Sequence, residues 1–220
     1  MGKAIEAPHS PRLPDDLPEV GKIVLEHDAV VVEARLSELE LQELDARGVK
    51  LDTATLTACD LSSSRLDALR LVDCTLSGCN MANLKARSAA LTRTVISGAR
   101  LTGIVLDDSE LADVTIRDCR VDLASFARAR LTRVSFEDCV MSEAGFLDAQ
   151  LGSVLFQRCD LSGADLRGVR ISGCELRDCR LAGIQGLESL KGAAMPWPDI
   201  VELAGEMAGA LGIAILDQED

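Results

Sequence analysis

Between Leu51 and Leu181 every fifth residue is large and apolar, with Ala86 the one exception among 27 positions. An α-helix repeats its buried face every 3.6 residues and a strand every second residue, so neither sets this beat. Two residues before each of these positions stands a second, smaller set. Of those 27, 24 are Ala, Cys, Val, Ser or Thr, and only Leu69, Leu84 and Ile104 are larger. The register does not slip over 130 residues. A period held for so long is the mark of stacked like units, a solenoid.

The pentapeptides GADLR (163–167), CDLSG (159–163) and CNMAN (79–83) resemble the repeat A(D/N)LXX of the pentapeptide-repeat family. The resemblance spans at least residues 49–185. It implies a right-handed, four-sided β-helix, all-β, with four pentapeptides per 20-residue coil and about 7–8 coils. The central residue and the one two before it then point inward, and the other three point out. Residues 20 apart should therefore stack. Cys59, Cys79, Ala99, Cys119, Cys139, Cys159 and Cys179 form one such column. Phe136 with Phe156, and Phe126 with Phe146, should stack on opposite walls. Ala86 follows the oversized Leu84, an exchange of large for small that keeps volume roughly constant.

Val31, Leu36 and Leu41 are already in phase, so the β-helix is expected over 29–185. Residues 1–28 hold Pro8, Pro11, Pro14 and Pro18 and read as a mobile or extended arm. No proline occurs from 19 to 195, as a ladder of paired backbone requires. After Gly186 the beat stops, and residues 186–220 form a cap. Within it, PWPDIVELAGEMAGALG (196–212) predicts one helix with Pro at its start and Gly212 at its end. Its apolar stripe of Ile200, Leu203, Met207 and Leu211, continued by Ile213 and Ile215, exceeds what one cap needs. A homodimer through this end is expected, since stacked coils end in unpaired backbone and an open lumen. The loop-free members that this chain resembles, the mycobacterial quinolone-resistance type, pair tail to tail.

Little here supports catalysis. His9 and His27 both precede the regular repeats, and no nucleophile motif, phosphate loop or zinc-protease helix occurs. The expectation is a non-enzyme without cofactor or metal. All eight cysteines occupy the small inward slot, and the two C-x4-C spacings are the repeat itself. They read as reduced packing residues, against a metal or disulfide reading that would need convergent thiols. No apolar leader and no 18-residue apolar run is present, so a cytoplasmic chain without membrane contact is expected. Aromatics are 2% of the chain, too few for a stacking surface, and no direct nucleic-acid binding is expected.

The net charge of −13 belongs to the ends: −6 in 1–48, −6 in 186–220 and −1 between. Outward columns alternate in sign, as in Asp73–Arg93–Asp113–Arg133, Asp108–Arg128–Asp148 and Asp67–Arg87–Asp107, which predicts ion-pair ladders between coils. The family resemblance implies a binding module for DNA gyrase or topoisomerase IV that protects it from quinolones or natural poisons by mimicking DNA. B-DNA carries one charge per about 1.7 Å, so coils of net −1 fail as whole-rod mimics. A local acidic patch remains, over Asp107, Asp108, Glu110, Asp113, Asp118, Asp122, Glu137, Asp138, Glu143 and Asp148, where the segment has net charge −5. Asp118 above Asp138 is the one adjacent acid pair that a ladder would not choose. The rival expectation is a scaffold with a non-topoisomerase partner.

Overall fold

The structure, a computed structural model, describes residues 5–214. Seven eight-residue strands recur at a spacing of 20: β1 (Val30–Ser37), β2 (Lys50–Thr57), β3 (Arg70–Ser77), β4 (Ala90–Ser97), β5 (Glu110–Arg117), β6 (Arg130–Glu137) and β7 (Gln150–Gln157). Each pairs in parallel with the next, residue n against n + 20, as in Leu51↔Leu71 and Leu56↔Leu76. The last coil splits its strand into β8 (Arg170–Ile171) and β9 (Cys174–Arg177). Two further lines of parallel bridges, Asp60↔Asn80↔Arg100 and Arg65↔Lys85↔Val105, close the other sides. The result is the expected four-sided β-helix of about eight coils. Each strand supplies wall 1 with its first half and wall 2 with its second; the bridge lines run along walls 3 and 4.

The inward assignment holds throughout. Every central residue from Leu51 to Leu181 is buried except the half-buried Ile171, and so is every residue two before it. Phe126 and Phe146 stack with centroids 5.0 Å apart, and Phe136 and Phe156 with centroids 5.1 Å apart. The two stacks face each other edge-on, Phe126 to Phe136 at 5.9 Å. All eight cysteines are buried and unpaired, so each leaves its thiol hydrogen to be satisfied. Cys74 Sγ donates to the carbonyls of Val72 (3.3 Å) and Leu51 (3.5 Å), and the hydroxyl of Ser109 repeats the pattern on Asp107 and Ala86. The slot thus selects a small side chain that may also carry a donor.

The corners carry a feature that the apolar beat does not announce. Every fifth residue from Asp28 to Gly183 has positive φ: 24 non-glycine residues and eight glycines. This region is costly for most side chains, and Asp and Asn tolerate it best. Eight of the 24 are Asp and one is Asn. Corners between walls 3 and 4, and between 4 and 1, are closed by β-turn hydrogen bonds, as from Leu69 N–H to Leu66 O (3.1 Å).

Both ends are plugged. Leu17 and Leu25 are buried over the first coil, and the backbone of residues 18–20 pairs with Arg35 of β1. At the other end β10 (Ala193–Ala194) covers the edge of β9, and Leu190 and Leu203 close the lumen. The single helix expected over 196–212 is instead two, α1 (Trp197–Glu202) and α2 (Ala204–Ala210). They meet at Leu203, 3% exposed, whose backbone leaves helical geometry (ψ 1°) where its side chain is drawn into the lumen end. The chain quits the coils at Gly186, with φ 78°; a Cβ there would stand 2.5 Å from the Arg167 nitrogen.

Candidate interaction surfaces

The outward ladders are built from corner residues one coil apart. Arg93 donates two bonds of 2.6 Å to Asp73, and Arg133 donates bonds of 2.6 and 2.8 Å to Asp113. Arg128–Asp108 and Arg158–Asp138 repeat this geometry. In each pair the guanidinium reaches back one coil to the carboxylate, a bidentate arrangement. Hydrogen bonds from these arginines hold Asp73, Asp108, Asp113 and Asp138 below the usual carboxylate range. The Asp67–Arg87–Asp107 column is different. Arg87 gives Asp67 only its backbone N–H (3.1 Å), and Asp107 accepts from the Ser125 hydroxyl.

The ten acids between 107 and 148 do not form one patch. Any 20 consecutive residues visit all four walls, so this window wraps the rod as a belt. Glu110 and Asp113 lie on wall 1; Asp118, Glu137 and Asp138 on wall 2; Asp122 and Glu143 on wall 3; Asp107, Asp108 and Asp148 on wall 4. Several are already committed. Asp113 is buried beneath Arg133 and the N-terminal arm, Asp108 and Asp138 hold arginines, and Asp122 accepts from Thr102 (3.0 Å). Among the described residues, Glu110, Asp118, Glu137, Glu143 and Asp148 have no ion-pair partner. Only on wall 2 do such acids adjoin: Asp118 is exposed one coil above Glu137, while Asp138, next to Glu137, has its carboxylate turned to Arg158. Further along this side a recess of about 680 Å³ is lined by Arg158, Asp160, Asp178, Arg180, Asp199 and Glu202.

The C-terminal stripe also divides. Leu203 is buried, and Ile200 and Met207 are half-buried, Met207 packing on the core; these residues serve as cap. Leu211 and Ile213 are exposed, 77% and 57%, and Ile215 lies outside the described residues. Trp197 (74% exposed) and Val201 (56%) join them in being open, residues that the stripe reading omitted. Their signal was available: both sit off the Leu203–Met207 face that a helical wheel turns inward.

The thiols are shielded. Burial pushes Cys74 up to about 11 and Cys174 up to about 12. Among the described residues no group of His, Cys, Asp or Glu side chains is placed to hold a metal ion, and no helix is long and apolar enough to cross a membrane.

Two family models agree with this architecture. Residues 119–185 match the family model "Pentapeptide repeat region", and residues 70–108 match "Pentapeptide repeats (8 copies)". No curated protein sequence matches the chain. Among solved structures, HetL, a pentapeptide repeat protein involved in heterocyst differentiation regulation from the cyanobacterium Nostoc sp. strain PCC 7120, is 20% identical. That alignment covers 78% of this chain and 91% of HetL, with a TM-score of 0.41. Full-length QnrB1, a plasmid-mediated fluoroquinolone resistance protein, is 16% identical over 81% of this chain and 99% of its own, with a TM-score of 0.32. Both family models fall inside a register that runs unbroken through the coils they leave out, and the chain belongs to the pentapeptide-repeat family.

Proposed function

We propose that this chain is a non-enzymatic protein-binding rod that engages a type II topoisomerase, DNA gyrase or topoisomerase IV, and protects it from a quinolone or a natural poison. The family resemblance supports this class of partner, and the charge map supports the choice of surface. The observation that carries the choice of wall is Asp118, exposed and without a counter-ion above Asp138 and beside Glu137. One coil spacing is about 4.8 Å, over which B-DNA carries about three phosphate charges. Wall 2 sets Asp118, Glu137 and Asp138 over that rise; Arg117 stands opposite Glu137 and Arg158 holds Asp138, which leaves Asp118 as the unmatched charge. The mimicry is local, and it is confined to this wall.

The test is a supercoiling assay with the purified protein, in the presence and absence of a quinolone. Inhibition or rescue is expected at low micromolar concentration and should weaken steeply with salt, because opposite fields drive the encounter. Asp118→Asn with Asp138→Asn should reduce the effect while the rod stays folded. No effect on either enzyme would favour a scaffold with another partner. Equal activity in the double variant would move the contact off wall 2. We infer as well that two copies associate through their C-terminal ends, with Trp197, Val201, Leu211 and Ile213 replacing the buried Leu203 as the contact.

A further inference from the structure

Residues 5–18 form no helix or strand and are laid on the rod. They run across the coils, along the edge where walls 1 and 2 meet. The Arg12 N–H donates to Asp73 Oδ1 (2.9 Å) and the His9 N–H to Asp113 Oδ1 (3.2 Å), with the His9 ring Nδ1 2.7 Å from the same oxygen. Arg133 lies 4.0 Å from Glu6. At the far end the Ile5 side chain is 3.7 Å from where a Gly173 Cβ would stand, and at the near end Pro18 O accepts from Arg35 N–H (2.8 Å).

The spacing is matched on both sides. His9 and Arg12 are three residues apart, and their acceptors are two coils apart. Three residues of polyproline II rise about 9.3 Å. Two coil spacings are about 9.6 Å. Pro8, Pro11 and Pro14 recur every third residue, and each observed donor is the residue after a proline. Proline fixes φ for this conformation and leaves the next N–H free to point at the rod.

The edge is correspondingly built. Asp73 and Asp113, 7% exposed each, are the only buried carboxylates among the described residues. Each takes a guanidinium from the next coil and a main-chain N–H from the arm, within the four-bond capacity of a carboxylate. Beside them on wall 1, Val72, Thr92, Ala112, Thr132 and Gly152 are short and uncharged, so an extended chain can lie close.

We propose that the Asp73–Arg93–Asp113–Arg133 edge is a binding site for a polyproline II peptide with proline at every third position, and that residues 5–18 fill it in cis as a removable strap. The carboxylates read backbone N–H groups and their spacing, so the recognised class is a conformation more than a side-chain sequence. This site lies on a different edge from Asp118 and does not depend on the topoisomerase reading.

The experiment uses the full chain. Pro8→Gly, Pro11→Gly and Pro14→Gly together loosen the strap without touching the edge. A labelled peptide IEAPHSPRLPDDLP, the sequence of residues 5–18, should bind this variant at least ~10-fold more tightly than the wild type, whose site is filled. Adding Asp73→Ala and Asp113→Ala should remove that gain. In the wild type, the His9 and Arg12 amides should exchange at least ~10-fold more slowly than in the free peptide. Exchange at the free-peptide rate would overturn the proposal. So would equal binding to wild type and loosened variant while their coils melt at the same temperature, or equal binding of a scrambled peptide.

Discussion

Phe136 shows what a single inward residue contributes. Its ring is fully buried, stacked on Phe156 and edge-on to Phe126 and Phe146, so nothing nearby can collapse into the space it would leave. Phe136→Ala should cost roughly 3–5 kcal/mol, read from denaturant unfolding; a loss under about 1 kcal/mol would contradict the lumen packing. The cysteines predict a reactivity pattern. With thiols buried and Cys74 and Cys174 pushed upward, thiol reagents at neutral pH should find few targets in the native protein and eight after denaturation under nitrogen. Asp113 predicts a pH dependence. Arg133 foremost, then His9, hold its carboxyl well below the unfolded value of about 3.9. Its contribution is therefore complete above that value and is lost as the pH falls towards the folded one. Stability of the wild type should drop below about pH 4, and Asp113→Asn should show a shallower drop in the same denaturation series.

At the scale of the element, the walls were legible in the sequence and the contacts between distant segments were not. The five-residue beat identifies the inward residues because burial imposes it directly, and the 20-residue columns place Phe126 above Phe146. The ladder Asp73–Arg93 could be read the same way. The acidic window 107–148 sums charge along the chain, whereas a wall gathers residues 20 apart, so its ten acids are spread over four walls. The strap was hidden for another reason: prolines spaced by three and carboxylates spaced by two coils match only once coil height is known. The helix break at Leu203 likewise answers to the lumen opening and not to local propensity. Where the coils end, the backbone gives a sharper signal. Gly186 turns the chain out of the last coil at φ 78°, with backbone atoms of Leu166 and Arg167 within 2.7 Å of any added Cβ. Gly186→Ala should destabilise by more than about 2 kcal/mol, since both φ and space forbid the methyl. Hydrogen exchange should locate the loss in coils near Leu166, and unchanged protection there would show that the exit can be rebuilt.

On the scale of the whole molecule, the rod has two plugged ends of unequal character. The N-terminal plug buries Leu17 and Leu25 and pairs backbone with β1, so it completes itself within one chain. The C-terminal cap buries Leu190 and Leu203 but leaves Trp197, Val201, Leu211 and Ile213 more than half exposed. Single exposed apolar residues are ordinary; four on one short cap are costly unless covered. Under the proposed pairing, a second copy would supply a matching surface by two-fold symmetry, because the same patch would face itself. The single tryptophan makes this testable without a label. As protein concentration rises through the micromolar range, Trp197 emission should shift to the blue, and sedimentation should move from monomer to dimer over the same range. Leu211→Asp with Ile213→Asp should hold the protein monomeric and its emission red-shifted, with the coils melting as in the wild type. Leu203→Ala should do the opposite, lowering the melting temperature through the opened lumen while leaving the apolar surface in place. A monomer at all these concentrations, with Trp197 emission unmoved, would reject the pairing and leave the cap's exposed surface to a different partner.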